Sequence, residues 1–424
     1  MSEESRSGGL ARARALDAAD PLARYRDQFH IPSGPDGGPC IYLCGNSLGL
    51  QPRATAARVQ AELAAWARLG VEGHFAEGVG WFDYHERFRD STAALVGALP
   101  GEVVVMNALT VNLHLLMVSF YRPSGRRRKV MIERGAFPSD RYAVASQASF
   151  HGLEPSEVVI EVGPRAGEDV LRTEDILAAI AAHGPELALV LFGGVNFYSG
   201  QVLEVGVITA AGHAQGAVVG FDLAHAAGNV RLSLHDDGVD FAAFCTYKYL
   251  NAGPGGVGCA FVHTRHGSSP ELPRFAGWWG NAPATRFGMP EAFVPQSGAA
   301  GWQLSNAPIL PMAALSASLD LFSEAGMEAL CAKSAKLTGY MQELLDGIEG
   351  GLFEVITPAS RGCQLSLRVV EGAAGLHQRL SAAGVVCDFR RPDVIRVAPV
   401  PLYNSFEDVW CFCDIIAGFA AEGV

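Results

Sequence analysis

The sequence lacks any cysteine pattern that would bind a metal or build a disulfide framework. Its nine cysteines are scattered through apolar segments, without CxxC pairs and without a cysteine and histidine cluster at zinc spacing. Two pairs are close in sequence only, Cys40 with Cys44 and Cys411 with Cys413. We therefore expect buried, reduced thiols, no metal and a cytoplasmic location.

Long apolar runs are also missing. No segment approaches the ~18 consecutive apolar residues of a membrane-spanning helix. The first twenty residues lack the apolar centre of a secretion signal. Their Arg-Ala pattern faintly suggests a transit peptide, but four acidic residues in that span argue against one. We expect no membrane partner.

Basic residues are outnumbered, with 32 Lys and Arg against 44 Asp and Glu and a formal net charge of -12. This balance argues against a nucleic-acid or anionic-membrane partner. The exception is the basic run at 126–129, which follows Pro123-Ser124-Gly125 and is most simply a solvated turn. We therefore expect no nucleic acid as partner.

The length of 424 residues predicts two domains, because single cores seldom exceed roughly 250–300 residues. From residue 100 onward, short apolar strands (VVVMN, KVMIE, EVVIEV, LALVLF, AVVGFD) alternate with amphipathic helical runs. This alternation is typical of an α/β domain with a largely parallel, buried sheet. It fades near Asn306, where a long helix begins. The later strands QLSLRV, VVCDF and VIRVAPV, with helices between them, predict a smaller α+β domain.

The N-terminal part predicts three helices, over Asp20 to Phe29, 52–69 and about 81–99. The second has one apolar face, formed by Val59, Leu63, Trp66 and Leu69. Between the first two, IYLCGNSLGL reads as a strand that runs into a tight turn. A glycine-rich loop carrying His74 separates the last two, and such loops often carry function.

Lys248 stands out because it follows a short buried strand, Phe241 to Cys245, and precedes a glycine-dense turn. Desolvation lowers the pKa of a lysine, so that its amine becomes a nucleophile able to form a Schiff base. The alternative is a lysine that extends from the strand end into water. The preceding strand ends at Asp222, three residues before His225. An acid, an imidazole and an amine thus meet at one sheet edge, where open α/β sheets bind ligands.

The glycine turn itself, GPGGVG at 253–258, matches G-x-G-x-x-G, but a strand and not a helix follows it. We therefore reject a dinucleotide site. The glycines more plausibly let the backbone pass close to a ligand.

An anion site is predicted at MNALTVNLHLL, where a strand ends and Thr110 precedes a helix with free first-turn amides. An ordinary N-cap threonine is the alternative. The next strand ends in ERGAFPSD, which places Phe137 and Asp140 at the same edge. Phe137 is either core or a ring displayed at a loop, and Pro138 favours the loop. A phosphate cradle, an aromatic face, an acid and an amine together are what pyridoxal 5'-phosphate requires.

Blocks along nearly the whole chain resemble those of the kynureninases, a family of fold-type-I pyridoxal-phosphate enzymes. They include LCGNSLGLQP, MNALTVNLHLL, AFPSDRYA, FDLAHAAGNV, TYKYLNAGPGG, FAGWWGN, QLSNAPIL, RGCQLSL and IRVAPVPLYNSFED. The resemblance implies a mostly parallel seven-stranded sheet plus a smaller α+β domain. It also implies a homodimer that hydrolyses an amino acid, L-kynurenine or its 3-hydroxy form, to an anthranilate and L-alanine, within tryptophan catabolism or NAD precursor synthesis.

The resemblance further implies roles for individual residues. Lys248 would hold the cofactor aldehyde and act as base, Asp222 would pair with the pyridine nitrogen, and Tyr247 would carry a proton. Phe137 would stack on the ring and His225 would lie beside Asp222. The other cofactor contacts implied are Leu109, Thr110, Pro138, Ser139, Asp140, Trp278 and Asn306, and the substrate contacts are Ser47, His74, Asn306 and Arg396. Gly193 departs from relatives that carry serine there.

Several alternatives stay open. Another fold-type-I activity, an aminotransferase or a cysteine desulfurase, is the nearest, although Cys363 leads directly into a strand where a desulfurase needs a mobile cysteine. A binding protein without turnover is the other. Trp278 is either displayed or core, His74 either a ligand or a solvated histidine, and Asn306 either a ligand or a helix cap. The expected division is 1–60 with the small domain, 61–310 as the large cofactor domain and 311–424 as the small domain.

Overall fold

The computed structural model describes residues 3–78, 80–269 and 271–422. The α helices are α1 (Glu3–Ala18), α2 (Thr55–Leu69), α3 (Arg89–Val96), α4 (Leu109–Phe120), α5 (Pro138–Phe150), α6 (Pro155–Val158), α7 (Thr173–His183), α8 (Val205–Ala214), α9 (Thr264–Gly267), α10 (Pro283–Arg286), α11 (Ile309–Ala325), α12 (Met327–Asp346), α13 (Ala373–Ala382) and α14 (Phe406–Glu422). The strands are β1 (Phe29–His30), β2 (Ile41–Tyr42), β3 (Gln51–Pro52), β4 (Val103–Val105), β5 (Lys129–Glu133), β6 (Val159–Val162), β7 (Leu187–Gly193), β8 (Val218–Asp222), β9 (Phe241–Cys245), β10 (Gly258–Val262), β11 (Phe353–Val355), β12 (Leu365–Val369), β13 (Val385–Val386), β14 (Asp388–Arg390) and β15 (Val394–Val397).

Seven strands form the large sheet, in the order β4-β10-β9-β8-β7-β5-β6. Strands β5 to β9 run parallel to one another, whereas β10 is antiparallel to both β9 and β4. Because β10 is antiparallel to both of its neighbours, β4 and β9 run in the same direction. The carboxyl ends of β4, β5, β7, β8 and β9 therefore meet at one edge of the sheet.

Helices cover both faces of this sheet, which is why its strands are continuous apolar runs. Leu113 of α4 and Val144 of α5 pack on one face. Ile180 of α7 and Ile208 of α8 pack on the other. The expected α/β architecture with a mostly parallel seven-stranded sheet is confirmed.

A smaller α+β unit follows, with an antiparallel sheet in the order β11-β12-β15-β14. Its core joins Leu367 and Ile395 of the sheet to Leu337, Leu376 and Phe412 of α12, α13 and α14. The N-terminal segment contributes to it, since Ala13 of α1 lies in the same core and β2 pairs in parallel with β13. The expected division into three ranges also includes residues 1–2, 79, 270 and 423–424, which lie outside the described residues.

The N-terminal helices differ from the sequence prediction. Helix α1 was not predicted, and the segment after Asp20 forms a 3-10 turn over Ala23–Gln28. The predicted helix at 81–99 is split into a 3-10 turn, Tyr84–Phe88, and the shorter α3. On α2 the predicted apolar face is wrong for Trp66, whose side chain is 61% exposed, because α2 packs against α11 through the side that carries Ala65.

The basic run is only partly a solvated turn. Arg127 donates hydrogen bonds to the carbonyl oxygens of Gly184, Leu187 and Gln215, so it ties three chain segments together. Among the described residues, no helix combines the length and apolar character needed to cross a bilayer.

Candidate active site

A cavity of about 830 Å³, including its open mouth, lies at the sheet edge where the strands end. Nine predicted cofactor residues line it: Leu109, Thr110, Phe137, Ser139, Asp140, Asp222, His225, Tyr247 and Lys248. They come from the ends of β4, β5, β8 and β9 and from the helices or turns that follow these strands. The fold thus collects residues more than 130 positions apart along the chain at one place.

The first turn of α4 forms one wall. Asn107 takes a left-handed conformation, with φ of 49°, and its amide group donates to Asn112 Oδ1 (2.9 Å). This turn directs the helix N-terminus, with its free amides, at the cavity. The helix begins at Leu109, so Thr110 lies inside the first turn and does not precede it. The N-cap is Ala108, without a side-chain cap, which removes the alternative reading of Thr110 as an N-cap.

The aromatic wall is formed by two rings. Phe137 is the residue before α5, and Pro138 occupies the first helical position. The ring of Phe137 packs edge-to-face on Phe197, with 5.2 Å between centroids, and Lys248 Nζ lies 5.8 Å from its centroid. Phe137 is therefore a displayed ring that faces the amine.

Three carboxylates line the cavity: Glu133, Asp140 and Asp222. Asp222 ends β8 and accepts a hydrogen bond from the Ala224 amide (2.8 Å). Burial, followed by the charge of Asp222, raises the pKa of Asp140 well above its ordinary value. Burial also raises the pKa of Glu133. Because like charges repel in a low dielectric, the neighbouring carboxylates disfavour the ionised form of Asp140.

His225 and Tyr247 complete the polar lining beside Lys248. Burial lowers the pKa of His225 well below its ordinary value, and the positive charge of Lys248 adds to the effect. Its Nδ1 is buried and has no hydrogen-bond partner among the described residues. Burial raises the pKa of Tyr247, so its hydroxyl stays protonated at neutral pH. A neutral imidazole and a proton donor therefore flank the amine.

Six predicted residues lie away from this cavity wall: Ser47, His74, Pro138, Trp278, Asn306 and Arg396. Trp278 is part of a 3-10 turn and donates from Nε1 to the Arg286 carbonyl (3.0 Å), beside a separate surface cavity. Its side chain is 45% exposed, which removes the core alternative. Asn306 is exposed in the loop before α11. The N-cap of that helix is Pro308, so the alternative of a capping asparagine is wrong.

The remaining substrate candidates are placed by local contacts. His74 is half-buried, with Nδ1 3.1 Å from the Val71 carbonyl and its ring against Trp81. Ser47 lies in the turn whose Gly49 amide donates to the Tyr247 carbonyl (2.9 Å). Arg396 is fully buried and donates to Asp388 Oδ1 (3.0 Å) and to the Phe197 carbonyl (2.5 Å).

Sequence reasoning missed part of the lining: Glu133, Gly193, Asn196 and Phe197. Glu133 carried a usable signal, because it is an acid at the end of a buried strand, as Asp222 is. Gly193 had been noted only as a departure from relatives. Its amide donates to Glu133 Oε1 (2.8 Å), and a Cβ here would stand 3.0 Å from that oxygen. Nothing local in the sequence pointed to Asn196 or Phe197, which a loop brings to the wall.

Outside the cavity, Glu102, His235 and His263 form a group whose ligand atoms lie close enough for a metal. Both Glu102 oxygens already accept hydrogen bonds, from Thr264 N and His235 Nδ1 on Oε1 and from Leu99 N on Oε2. The group is thus satisfied as a structural link between the 3-10 turn at Pro100–Glu102 and α9.

Comparisons with known proteins point in one direction. A family model described as "Kynureninase C-terminal domain" matches residues 330–416, and one described as "Aminotransferase class-V" matches residues 41–371. Proteins named kynureninase from Myxococcus xanthus (strain DK1622) and Salinispora tropica are 59% and 56% identical to this chain. The first covers 97% of both chains and the second 96% of both. A third, from Koribacter versatilis, is 54% identical over 94% of both chains.

Solved structures share the fold. A C-DES mutant with glycine covalently linked to its PLP cofactor aligns with a TM-score of 0.77 at 19% identity, over 92% of this chain and 98% of that one. The cysteine desulfurase CsdA from Escherichia coli aligns with a TM-score of 0.76 at 19% identity, over 95% and 98%. These likenesses establish a fold-type-I architecture.

Proposed function

The chain belongs to the kynureninase family, and from this premise we propose how its cavity performs the family reaction. That reaction is the hydrolysis of L-kynurenine, or of its 3-hydroxy form, to anthranilate or 3-hydroxyanthranilate and L-alanine, with pyridoxal 5'-phosphate as cofactor. The observation that carries the proposal is the convergence of Lys248, Asp222 and the N-terminus of α4 on one cavity.

The residues present fit this cofactor. The N-terminus of α4, with Thr110, offers donors for a phosphate. The buried, unpartnered Nδ1 of His225 and the carboxylate of Asp222 offer polar contacts to a ring, and Phe137 offers an aromatic face. We propose Lys248 as the residue that binds the aldehyde. When bound, the cofactor withdraws electrons from the bonds around the substrate α-carbon.

The chain's own groups then move the protons. Lys248 Nζ is the base that removes the proton from the substrate α-carbon. Asp222 would hold the proton on the pyridine nitrogen of the bound cofactor. Tyr247, whose hydroxyl is protonated because burial raises its pKa, delivers a proton as the bond between the β-carbon and the carbonyl carbon breaks. Water attacks that carbonyl carbon and supplies the oxygen of the new carboxylate.

We propose that Ser47, His74, Asn306 and Arg396 contact the substrate, with Trp278 and Asn306 supplied by a second copy of the chain. An exposed apolar surface made of Phe75, Trp278, Phe287 and Met289 supports this, since Phe287 lies 5.8 Å from Phe75 and 5.5 Å from Trp278 between ring centroids. Exposed apolar patches of this kind mark interaction sites. A homodimer buries the patch and brings both residues toward the partner's cavity.

A cysteine desulfurase activity is disfavoured at Cys363. This thiol is buried, its backbone amide donates to Asn229 Oδ1 (2.9 Å), and burial raises its pKa to about 12. A nucleophilic cysteine needs an accessible thiolate. The likeness to desulfurases is therefore one of fold.

We also propose the division into residues 1–60 and 311–424 as the small domain and 61–310 as the large one, with α11 as the connecting helix. Met312 and Leu319 of α11 pack in the core of the large sheet, which supports a connecting role. A cytoplasmic location is supported by the free state of all nine cysteines.

One experiment tests the function. Purified protein is mixed with pyridoxal phosphate, and the imine absorbance and the fluorescence of anthranilate are followed after kynurenine is added. We expect an absorbance shift and equal amounts of anthranilate and alanine. A keto acid, or elemental sulfur from cysteine, in place of these products would identify one of the rival activities.

A further inference from the structure

Glu133 has no role in the chemistry above, yet it is a buried carboxylate on the cavity wall. It ends β5, its side chain is 6% exposed, and it shares the cavity with Asp140 and Asp222. Its charge contributes to the raised pKa of Asp140. A third acid in so small a volume is electrostatically unfavourable, so its contacts must offset that cost.

Both oxygens of Glu133 are engaged by one loop. Oε1 accepts from the Gly193 amide (2.8 Å) and Oε2 from Asn196 Nδ2 (2.7 Å). Bonds to an ionised acceptor are about twice as strong as neutral ones. Each oxygen of Glu133 thus has a hydrogen-bond donor within the cavity wall.

Asn196 extends this hydrogen-bond network into the loop that follows. Its Oδ1 accepts from the amides of Tyr198 (3.0 Å) and Ser199 (2.9 Å), so one side chain fixes the turn that contains Phe197. The Asn196 side chain therefore links the end of β5 to the conformation of residues 197–199.

Phe197 connects the two halves of the proposed site. Its ring packs on Phe137, at 5.2 Å and 83°, on the cofactor side. Its carbonyl oxygen accepts from Arg396 Nη1 (2.5 Å), the residue proposed to contact substrate. The position of this one residue thus bears on both the aromatic wall and the arginine.

We propose that Glu133 is a positioning residue: by holding the Gly193 amide and Asn196 it sets Phe197 against Phe137 and against Arg396. The inference rests on the proposed function for the roles of Phe137 and Arg396. A Cβ at residue 193 would stand 3.0 Å from Glu133 Oε1, so the carboxylate would have to shift by a few tenths of an ångström.

The test exchanges the polarity of the pair. In Glu133→Gln the NH2 group of the glutamine faces the NH2 group of Asn196, so two donors meet. The double variant Glu133→Gln with Asn196→Asp restores an acceptor at residue 196. It also transfers the negative charge from residue 133 to residue 196. We expect the single variant to raise KM for kynurenine about tenfold with a smaller effect on kcat, and the double variant to recover most of the loss. Gly193→Ala, which keeps both partners but crowds Oε1, should shift KM in the same direction.

Two further readouts separate this inference from the proposed function. Both are measured starting from the apoprotein. In Glu133→Gln the 193–199 amides should exchange hydrogen faster, and the dissociation constant for pyridoxal phosphate should rise. In the double variant both values should return toward those of the wild type. If the wild-type protein does not cleave kynurenine, these readouts still test the hydrogen-bond network. A lower Tm with unchanged KM, exchange and cofactor affinity would overturn the inference, as would a double variant as impaired as the single one.

Discussion

At the scale of single residues, burial sets the protonation states on the cavity wall. It keeps the imidazole of His225 neutral and the phenol of Tyr247 protonated at neutral pH. Lys248 lies among them with an aromatic ring 5.8 Å from its amine. Burial in the fold thus favours the neutral forms of both side chains beside the amine.

Replacing Lys248 removes the proposed base. We expect Lys248→Ala to lower kcat by about a thousandfold or more, because a positioned acid or base contributes up to about 10⁴-fold, while pyridoxal phosphate still binds. Lys336→Ala, at an exposed position of α12, is the matched control and should be as active as wild type. Multiple turnovers by Lys248→Ala would rule out the assignment.

His225 makes the stability of the apoprotein depend on pH. Its folded pKa lies below its unfolded value, so the unfolded chain binds a proton that the folded one rejects, and stability falls as the pH drops below about 6.5. The slope from one such group is at most about 1.4 kcal/mol per pH unit. Urea unfolding at pH 7.5 and 5.5 should show a smaller loss in His225→Gln than in wild type. Equal losses would contradict this.

We expect His74 and Asn306 to determine the preference between the two substrates. A site that hydrogen-bonds a hydroxyl group discriminates against the analogue that lacks it. We expect 3-hydroxykynurenine to have the higher kcat/KM, and the double replacement His74→Leu with Asn306→Leu to narrow the ratio by about tenfold. Both substrates are assayed on both proteins. An unchanged ratio would show that these residues do not read the hydroxyl.

At the scale of elements, the turn at 45–49 packs against the backbone of Tyr247 and Lys248. The Gly49 amide donates to the Tyr247 carbonyl, and a Cβ on Gly49 would stand 2.3 Å from the Lys248 carbonyl oxygen and 2.2 Å from Asn251 Oδ1. A backbone atom cannot move aside as a flexible side chain can. The close approach of these two segments therefore requires glycine.

A pair of identical substitutions tests this packing. Gly49→Ala should destabilise the protein by about 1–3 kcal/mol through crowding and perturb the cofactor absorbance. Gly339→Ala, on the exposed side of α12 with open space around it, should stabilise by about 0.5–1 kcal/mol, because alanine favours the helix. The denaturant midpoints of both variants measure these changes in stability. If both substitutions changed stability in the same direction, crowding at Gly49 would be contradicted.

At the scale of the whole molecule, Trp278 and Asn306 lie apart from the cavity of their own chain. Trp278 belongs to the exposed apolar surface, together with Phe287 and Met289. In a symmetric dimer, a closed two-fold interface buries the same patch on each copy. One such interface accounts for the exposed surface and for the position of Trp278 and Asn306 outside their own chain's cavity. We propose that the catalytic unit is the pair of chains.

Mixing two inactive variants tests the exchange of residues between chains. Lys248→Ala and Trp278→Ala each damage a different side of the shared site. After random reassociation half of the dimers are mixed, and one of the two sites in each is intact, so about a quarter of wild-type activity should return. No recovery would place Trp278 in its own chain's site, and an active monomer in sedimentation would remove the dimer altogether.

Sequence patterns and the family resemblance predict the large sheet and nine of the residues that line the cavity. Strands such as FAAFC and LALVLF are continuous apolar runs, and residues at the ends of such parallel strands or directly after them lie at one sheet edge, which brings Asp222, Phe137 and Lys248 together. Local rules failed where contacts between segments decide. Trp66 faces solvent because α11 covers the other side of α2, Thr110 lies inside α4 because the turn at Asn107 starts the helix earlier, and α1 packs on α14, far away in sequence. Only the tertiary structure placed Glu133, Asn196 and Phe197 in one chain of contacts, since hydrogen bonds between a strand end and a loop 60 residues later leave no periodic signal.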